Sequence, residues 1–275
     1  MLEILGGLLA LAFGAGMVGA LSGLGGGVFI VPALMIVAHM PMAVAVGASL
    51  VSVVATSAGA SVAFVRDGWT NLKLAMVLEC ATVTGAVAGA VLAGLIPAVV
   101  LEILFALMML QSAFFSVRKQ DDELIAHGDS IARRLDLVGE VPDQTGKPVH
   151  YEIVNLISGS SLMVVAGLMS GMLGIGSGAL KVMAMDYFMH VPLKVSSATS
   201  NFMIGVTAGA GALVFLARGD VSTAVAAPVA LGVTIGALVG SRILPNANVR
   251  ILRMIFVVIL VLIAIEMGWR ALNGI

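Results

Sequence analysis

One cysteine, Cys80, stands among 275 residues. That excludes an internal disulfide and any cysteine-built metal site, and its apolar neighbours predict a buried, inert thiol. Charge is equally scarce. Asp, Glu, Lys and Arg make up 11% of the chain, against 60% hydrophobic residues. A soluble domain carries about 25% charged residues, so the composition is that of a membrane protein. A net charge of −1 gives no case for nucleic acid or an acidic partner. No Lys or Arg precedes Arg66, and Glu3 sits where a signal peptide would carry positive charge. The expectation is an uncleaved first segment that stays in the membrane.

What is abundant is apolar sequence in runs. Stretches of about 20 residues, enough for a ~30 Å hydrocarbon core, fit at 43–65, 71–94, 98–117, 195–217, 221–241 and 250–268. Between Arg118 and His150 the character changes, and 12 of the chain's 29 charged side chains fall in that stretch. It reads as a solvent-exposed linker between two halves. Within it, Leu137 to Ile153 is expected to form a β-hairpin around Asp-Gln-Thr-Gly.

The halves repeat each other at a constant offset of 151 positions. Gly23/Gly174, Gly25/Gly176, Gly27/Gly178, His39/His190, Pro41/Pro192, Ser49/Ser200, Thr56/Thr207, Gly85/Gly236 and Phe105/Phe256 are all identical pairs. The shared His-x-Pro and the gapless register make chance a poor explanation. Two segments of each half fall short of a crossing: Ile4 to Val18 and Leu24 to Ala38 have about 15 residues each, joined by the glycines. They are either broken helices meeting near the midplane as a re-entrant hairpin, or two short tilted crossings. Each choice gives an odd number of crossings per half, so the second half is inverted relative to the first.

The distribution of basic residues agrees with that parity. With the linker in the cytoplasm, Arg66, Lys73, Arg118, Lys119, Arg133, Arg134, Lys147, Lys194, Arg242, Arg250 and Arg253 lie inside, and only Arg218 and Arg270 lie outside. The expected architecture is an all-α integral membrane protein with an inverted-topology repeat. Each half has a Gly-rich broken or re-entrant hairpin plus about three full transmembrane helices. The divisions are 1–117, a cytoplasmic linker at 118–150, and 151–275, with both termini periplasmic or extracellular.

Glycines within a helix cost roughly 1 kcal/mol each relative to alanine, so the clusters "SGLGGGVFIVPAL" and "LGIGSGALKVMAM" need a reason. Interrupted helices in matching positions of an inverted repeat are a transporter pattern. At such a break, unpaired backbone N–H groups and the positive end of the helix dipole suit an anion, and glycine permits close approach. Helix packing is the alternative, and it is the better account of Gly85/Gly89 and Gly236/Gly240.

"GLGGGVFIVPAL" with "VGASLVSVVATSAGA", and "GIGSGALKVMAM" with "SSATSNFMIG", resemble the two halves of the sulfite exporter TauE/SafE family, also called toluene-sulfonate uptake permeases. The resemblance covers nearly the whole chain except the linker. It departs at Ser177 and Met183, where glycine and proline are usual, and at Ala48-Ser49, which lacks the threonine of Ala198-Thr199-Ser200. The resemblance implies an inner-membrane transporter of organosulfur or other small organic anions, driven by an ion gradient.

Substrate contacts are expected at Gly25, Gly26, Ser49, Ser52, Gly176, Ser177, Lys181, Ser200 and Asn201. Hydroxyls and an amide can donate to sulfonate oxygens without a buried cation; the competing reading has Ser and Thr bonding back to their own helix carbonyls. Lys181 and Asp186 break the repeat, answering Ile30 and Met35. Lys181 offers the positive charge an anion wants, or it snorkels to the surface. Asp186 pairs with it, carries a coupling proton or likewise snorkels, and Glu79, about two turns into its span, is a second coupling position or a snorkelling carboxylate. The coupling ion is a proton or sodium. His39 and His190 read as interfacial caps. No cofactor or metal is implied, and a homodimer fits the same reading. An anion channel remains an alternative. So does an intramembrane enzyme built on Ser177 and His190, although Gly26 at the matching position argues against it.

Overall fold

The computed structural model describes residues 2–22, 26–117, 129–137, 139–142, 148–243 and 249–273. The first half contains α1 (Leu2–Ser22), α2 (Gly27–Ile36), α3 (Met42–Arg66), α4 (Leu72–Ala93) and α5 (Ala98–Val117). Between the halves lie the short α6 (Ser130–Arg134) and the strands β1 (Gly139–Pro142) and β2 (Pro148–Tyr151). The second half contains α7 (Leu156–Leu173), α8 (Gly178–Met183), a π-helical turn at Ala184–Phe188, α9 (Leu193–Arg218), α10 (Thr223–Ile243) and α11 (Val249–Asn273).

Five of the described helices are long and apolar enough to cross a membrane: Met42–Arg66, Leu72–Ala93, Ala98–Ser116, Leu156–Leu173 and Leu193–Arg218. This is an all-α multi-pass membrane protein. The broken segments differ from the expectation of two equal pieces. α1 runs 21 residues and α2 only 10, because the chain stays helical up to the glycines, and α2 starts after them and stops before the left-handed His39.

The offset of 151 recurs in the element boundaries: α2, α3, α4 and α5 begin at 27, 42, 72 and 98, and α8, α9, α10 and α11 begin at 178, 193, 223 and 249. It recurs in the contacts too. A Cβ on Gly167 would stand 2.0 Å from the Thr82 carbonyl, and one on Gly16 would stand 2.2 Å from that of Val233. Gly85 presses on the Val164 carbonyl and Gly236 on that of Phe13, each at 2.1 Å. These contacts require glycine and let backbones touch, as small residues do between transmembrane helices.

Successive contacts also give the helix directions. Going from Thr82 to Ala86 on α4, the partner on α7 advances from Gly167 to Gly171, so the two helices run parallel. On α1 and α10, Leu9 meets Gly232 and Phe13 meets Gly236, again parallel. α3 and α9 are antiparallel, with Ser57 against Gly205 and Leu50 against Gly211. After the break, the chain returns to the level from which α7 departed. The Val154 N–H donates to the Met189 carbonyl (3.3 Å) and the Asn155 side chain to that of Phe188 (3.3 Å).

The stretch between the halves is not simply solvated. β1 and β2 pair antiparallel, with Gly139 opposite Tyr151, in the expected hairpin; its turn lies outside the described residues. Ala132, Leu137 and Tyr151 join a buried cluster with Leu74, Leu78 and Met163. The Asn71 side chain caps α4 by accepting from the Leu74 N–H (3.0 Å) and donates to the Tyr151 hydroxyl (2.9 Å). Lys73 pairs with Asp136 on the surface. The thiol of Cys80 is exposed, contrary to expectation. It lies about 100° around α4 from its neighbour Glu79, and Glu79 takes the inward direction.

Candidate functional site

The two interrupted helices meet. A Cβ on Gly27, the first residue of α2, would stand 2.8 Å from the Gly174 carbonyl oxygen and 2.6 Å from Val53. Gly174 ends α7 in the left-handed conformation, φ +70°, and its N–H closes on the Ser170 carbonyl at 2.9 Å. Gly176 (φ +70°) and Ser177 (φ +45°) turn the chain into α8. Glycine adopts that conformation without strain. Ser177 adopts it with a side chain, and its buried hydroxyl has no hydrogen-bond partner. The matching residue Gly26 has φ −67°, so the two turns differ in backbone. Gly25 lies outside the described residues.

Ser49 ties the junction together. Its hydroxyl lies 2.7 Å from the Gly174 carbonyl and 3.4 Å from that of Gly27. Its counterpart Ser200 donates to the Gly178 carbonyl at 3.3 Å, the equivalent contact in the second half. Both hydroxyls are fully buried. The other polar positions of α3 and α9 bond locally. Ser52 donates to the Ala48 carbonyl (2.8 Å) and the Asn201 amide to that of Ser197 (3.0 Å). The backbone carbonyl of Asn201 accepts from Ser57 across the α3–α9 contact.

Lys181 is completely buried and does not reach for the surface. Its ammonium donates to the Thr207 hydroxyl at 2.6 Å, and that hydroxyl donates to Glu79 Oε1 at 2.7 Å. Three helices, α8, α9 and α4, thus contribute to one polar chain. The Thr207 hydroxyl also lies 2.9 Å from the Met203 carbonyl, a second acceptor for the same proton. Glu79 Oε2 and the Ser170 hydroxyl are buried without a hydrogen-bond partner. Asp186 lies half-buried in the π-helical turn, whereas the hydrogen bond of Lys181 goes to Thr207. Sequence reasoning misses the link through Thr207. Opposite charges at Glu79 and Lys181, each deep in an apolar run, are the signal that points to it.

His39 and His190 each adopt positive φ, 49° and 54°, just before their Met-Pro and Val-Pro turns. Among the described residues, no three His, Cys, Asp or Glu side chains cluster as a metal site would require.

A polytopic helical protein with two helix breaks in contact and a buried Lys–Thr–Glu chain beside them has the features that secondary transporters place at their binding sites. The comparisons with known proteins agree. The family model described as "Sulfite exporter TauE/SafE" matches residues 8–267, and the chain belongs to that family. The probable membrane transporter protein YunE of Bacillus subtilis is 26% identical over 267 residues, covering 94% of this chain and 96% of the relative. The probable membrane transporter protein ORF9 of a Sinorhizobium species is 26% identical over 261 residues, covering 94% and 90%. YdhB of Bacillus subtilis, also named a probable membrane transporter protein, is 25% identical over 235 residues, covering 86% and 88%. No solved structure matches. The family and the names of these relatives mark the chain as a membrane transporter.

Proposed function

We propose that the chain is a secondary transporter moving small organic anions, sulfonates or sulfite-like organosulfur compounds, across the bacterial inner membrane by alternating access. The observation that carries this reading is the meeting of the two helix breaks, with Ser49 bonded at the junction of Gly27 and Gly174. Non-helical backbone at membrane depth persists only where protein buries it or a cavity borders it. Paired broken helices are where secondary transporters bind substrate.

The recurring offset of 151 supports a duplicated unit, and the parallel pairs α4–α7 and α1–α10 support opposite insertion of its two copies. On this reading α1–α2 and α7–α8 are re-entrant hairpins from opposite faces, and the linker side is the cytoplasm. A reporter inserted near Gly146 then reads as cytoplasmic and one fused after Asn273 as periplasmic.

The anion meets the N–H groups at the very start of α2 and α8, ahead of Phe29 and Lys181, whose own N–H groups already close on the Gly26 and Ser177 carbonyls. Gly26, Gly176 and Ser177 allow the approach, and Lys181 supplies the countercharge. Ser49 and Ser200 brace the breaks through their carbonyl bonds, while Ser52 and Asn201 line the flanking helices α3 and α9 and bond back to their own backbones.

A thermal-shift screen of sulfite, thiosulfate, taurine, sulfoacetate and simple carboxylates on detergent-purified protein tests the reading. For a ligand that stabilises the parent, Gly176→Ala abolishes binding in protein that remains folded. A lowered melting temperature with affinity intact would make the loop a packing feature and contradict the site.

A further inference from the structure

The repeat supplies an internal comparison for the buried Lys181–Thr207–Glu79 chain. Positions displaced by 151 from Lys181, Thr207 and Glu79 are Ile30, Thr56 and Ala230. Ile30 is as fully buried as Lys181. Thr56, lacking both charged partners, bonds back to the carbonyls of Ser52 (3.2 Å) and Val53 (3.1 Å) on its own helix. An isoleucine and an alanine therefore stand at the positions that answer the two charges, and each set of three positions draws on both halves of the chain. Removing charges from water is unfavourable even when they are paired, and an apolar replacement is often as stable. The fold itself does not require the charges.

Resting on the transport reading above, we propose that Lys181 and Glu79 are the coupling pair: Lys181 receives the negative charge of the substrate and Glu79 takes up one proton when it does. In the substrate-free arrangement, the ammonium and the carboxylate balance through the Thr207 hydroxyl. An anion on Lys181 leaves two negative charges around one positive charge in a site closed to water. Uptake of a proton by Glu79 from the aqueous phase restores the balance. Its Oε2, buried with no hydrogen-bond partner, has a lone pair available for that proton. A monoanion and a proton then cross together with no net charge.

The surrounding charged groups do not duplicate this role. α7 carries none. On α4, Lys73 is paired with Asp136 at the helix start. On α9, Lys194 and Arg218 stand at opposite ends, one over the Trp69 ring and the other paired with Asp220. On α5, which touches α8, Glu102 has Arg270 as its charged neighbour. Asp186 follows Lys181 by five positions in the π-helical turn and makes an interaction of its own.

Methanesulfonate is a suitable probe, because it remains an anion throughout the useful pH range. In weakly buffered detergent solution, its binding to the unmodified protein takes up about one proton per anion. In proteoliposomes, a gradient of one pH unit accumulates it about tenfold on the alkaline side, the ratio for one proton per monoanion. Glu79→Gln removes the response to the gradient. Lys181→Met loses binding, and Lys181→Arg recovers part of it. Binding without proton uptake, or gradient-driven accumulation by Glu79→Gln equal to the parent, overturns the coupling pair while leaving a transporter. Failure of the parent to bind or transport methanesulfonate or any anion of the screen overturns the transport reading and the coupling pair with it.

Discussion

The Ser49 hydroxyl and the Gly174 carbonyl, 125 positions apart in the chain, lie 2.7 Å apart as a buried hydrogen bond between the two halves. The same hydroxyl is 3.4 Å from the Gly27 carbonyl, so one side chain fixes the relative position of both helix breaks. Removing a buried partner exposes the desolvation cost of the group left behind. Ser49→Ala should destabilise by roughly 1–3 kcal/mol, and Ser200→Ala by less, since its 3.3 Å bond is longer and lies within one half. Thermal unfolding of both variants in the same detergent checks the order. Equal losses would mean that the bridge between halves has no special weight.

A second expectation separates the glycines by their surroundings. Gly85→Ala or Gly167→Ala forces a methyl group to within 2.1 Å of a carbonyl oxygen on the neighbouring helix, and overpacking of this kind costs roughly 1–3 kcal/mol. Gly59, in α3, has nothing within 4 Å of an added Cβ; Gly59→Ala should be neutral, or stabilising by up to about 1 kcal/mol through helix propensity. Melting temperatures of the three variants provide the check, and a drop for Gly59→Ala would contradict the contact argument.

These contacts also show how much is legible in the sequence. The offset of 151, visible in Gly27/Gly178 and His39/His190, reappears as matching helix starts, matching glycine contacts and the pair of left-handed histidines. Periodicity and hydropathy carry such information because they act locally. The Lys181–Thr207–Glu79 chain is not legible, since its partners lie 26 and 128 positions from Thr207 and nothing local says which helices will touch. The exposure of Cys80 is hidden for a related reason. Its apolar neighbours are visible, but not which side of α4 faces the protein. Charge marks the linker plainly, while the few apolar residues that dock it, Ala132, Leu137 and Tyr151, are outnumbered.

The docking of that linker should depend on alkaline pH. Burial pushes the Tyr151 phenol above its usual range, and the hydrogen bond from Asn71 offsets part of the effect. The docked state thus keeps its proton at a pH where the undocked state, with an ordinary phenol near 10, loses it. Since the undocked state binds fewer protons there, docking weakens as pH rises through about 10 and is unaffected below it. Hydrogen exchange of β2 across that range should show the loss, and Tyr151→Phe should remove the pH dependence. An unchanged profile in Tyr151→Phe would assign it to another group.

The central claim is alternating access to a site between the two breaks, and counterflow tests it most directly. Proteoliposomes preloaded with an unlabelled anion that binds in the thermal-shift screen should take up the same labelled anion faster than empty ones, because the loaded site returns more readily than the empty one. Stimulation by the preload that saturates with its concentration is the predicted result. Uptake of the same anion that is linear in concentration and indifferent to the preload would contradict the account and make the protein a channel.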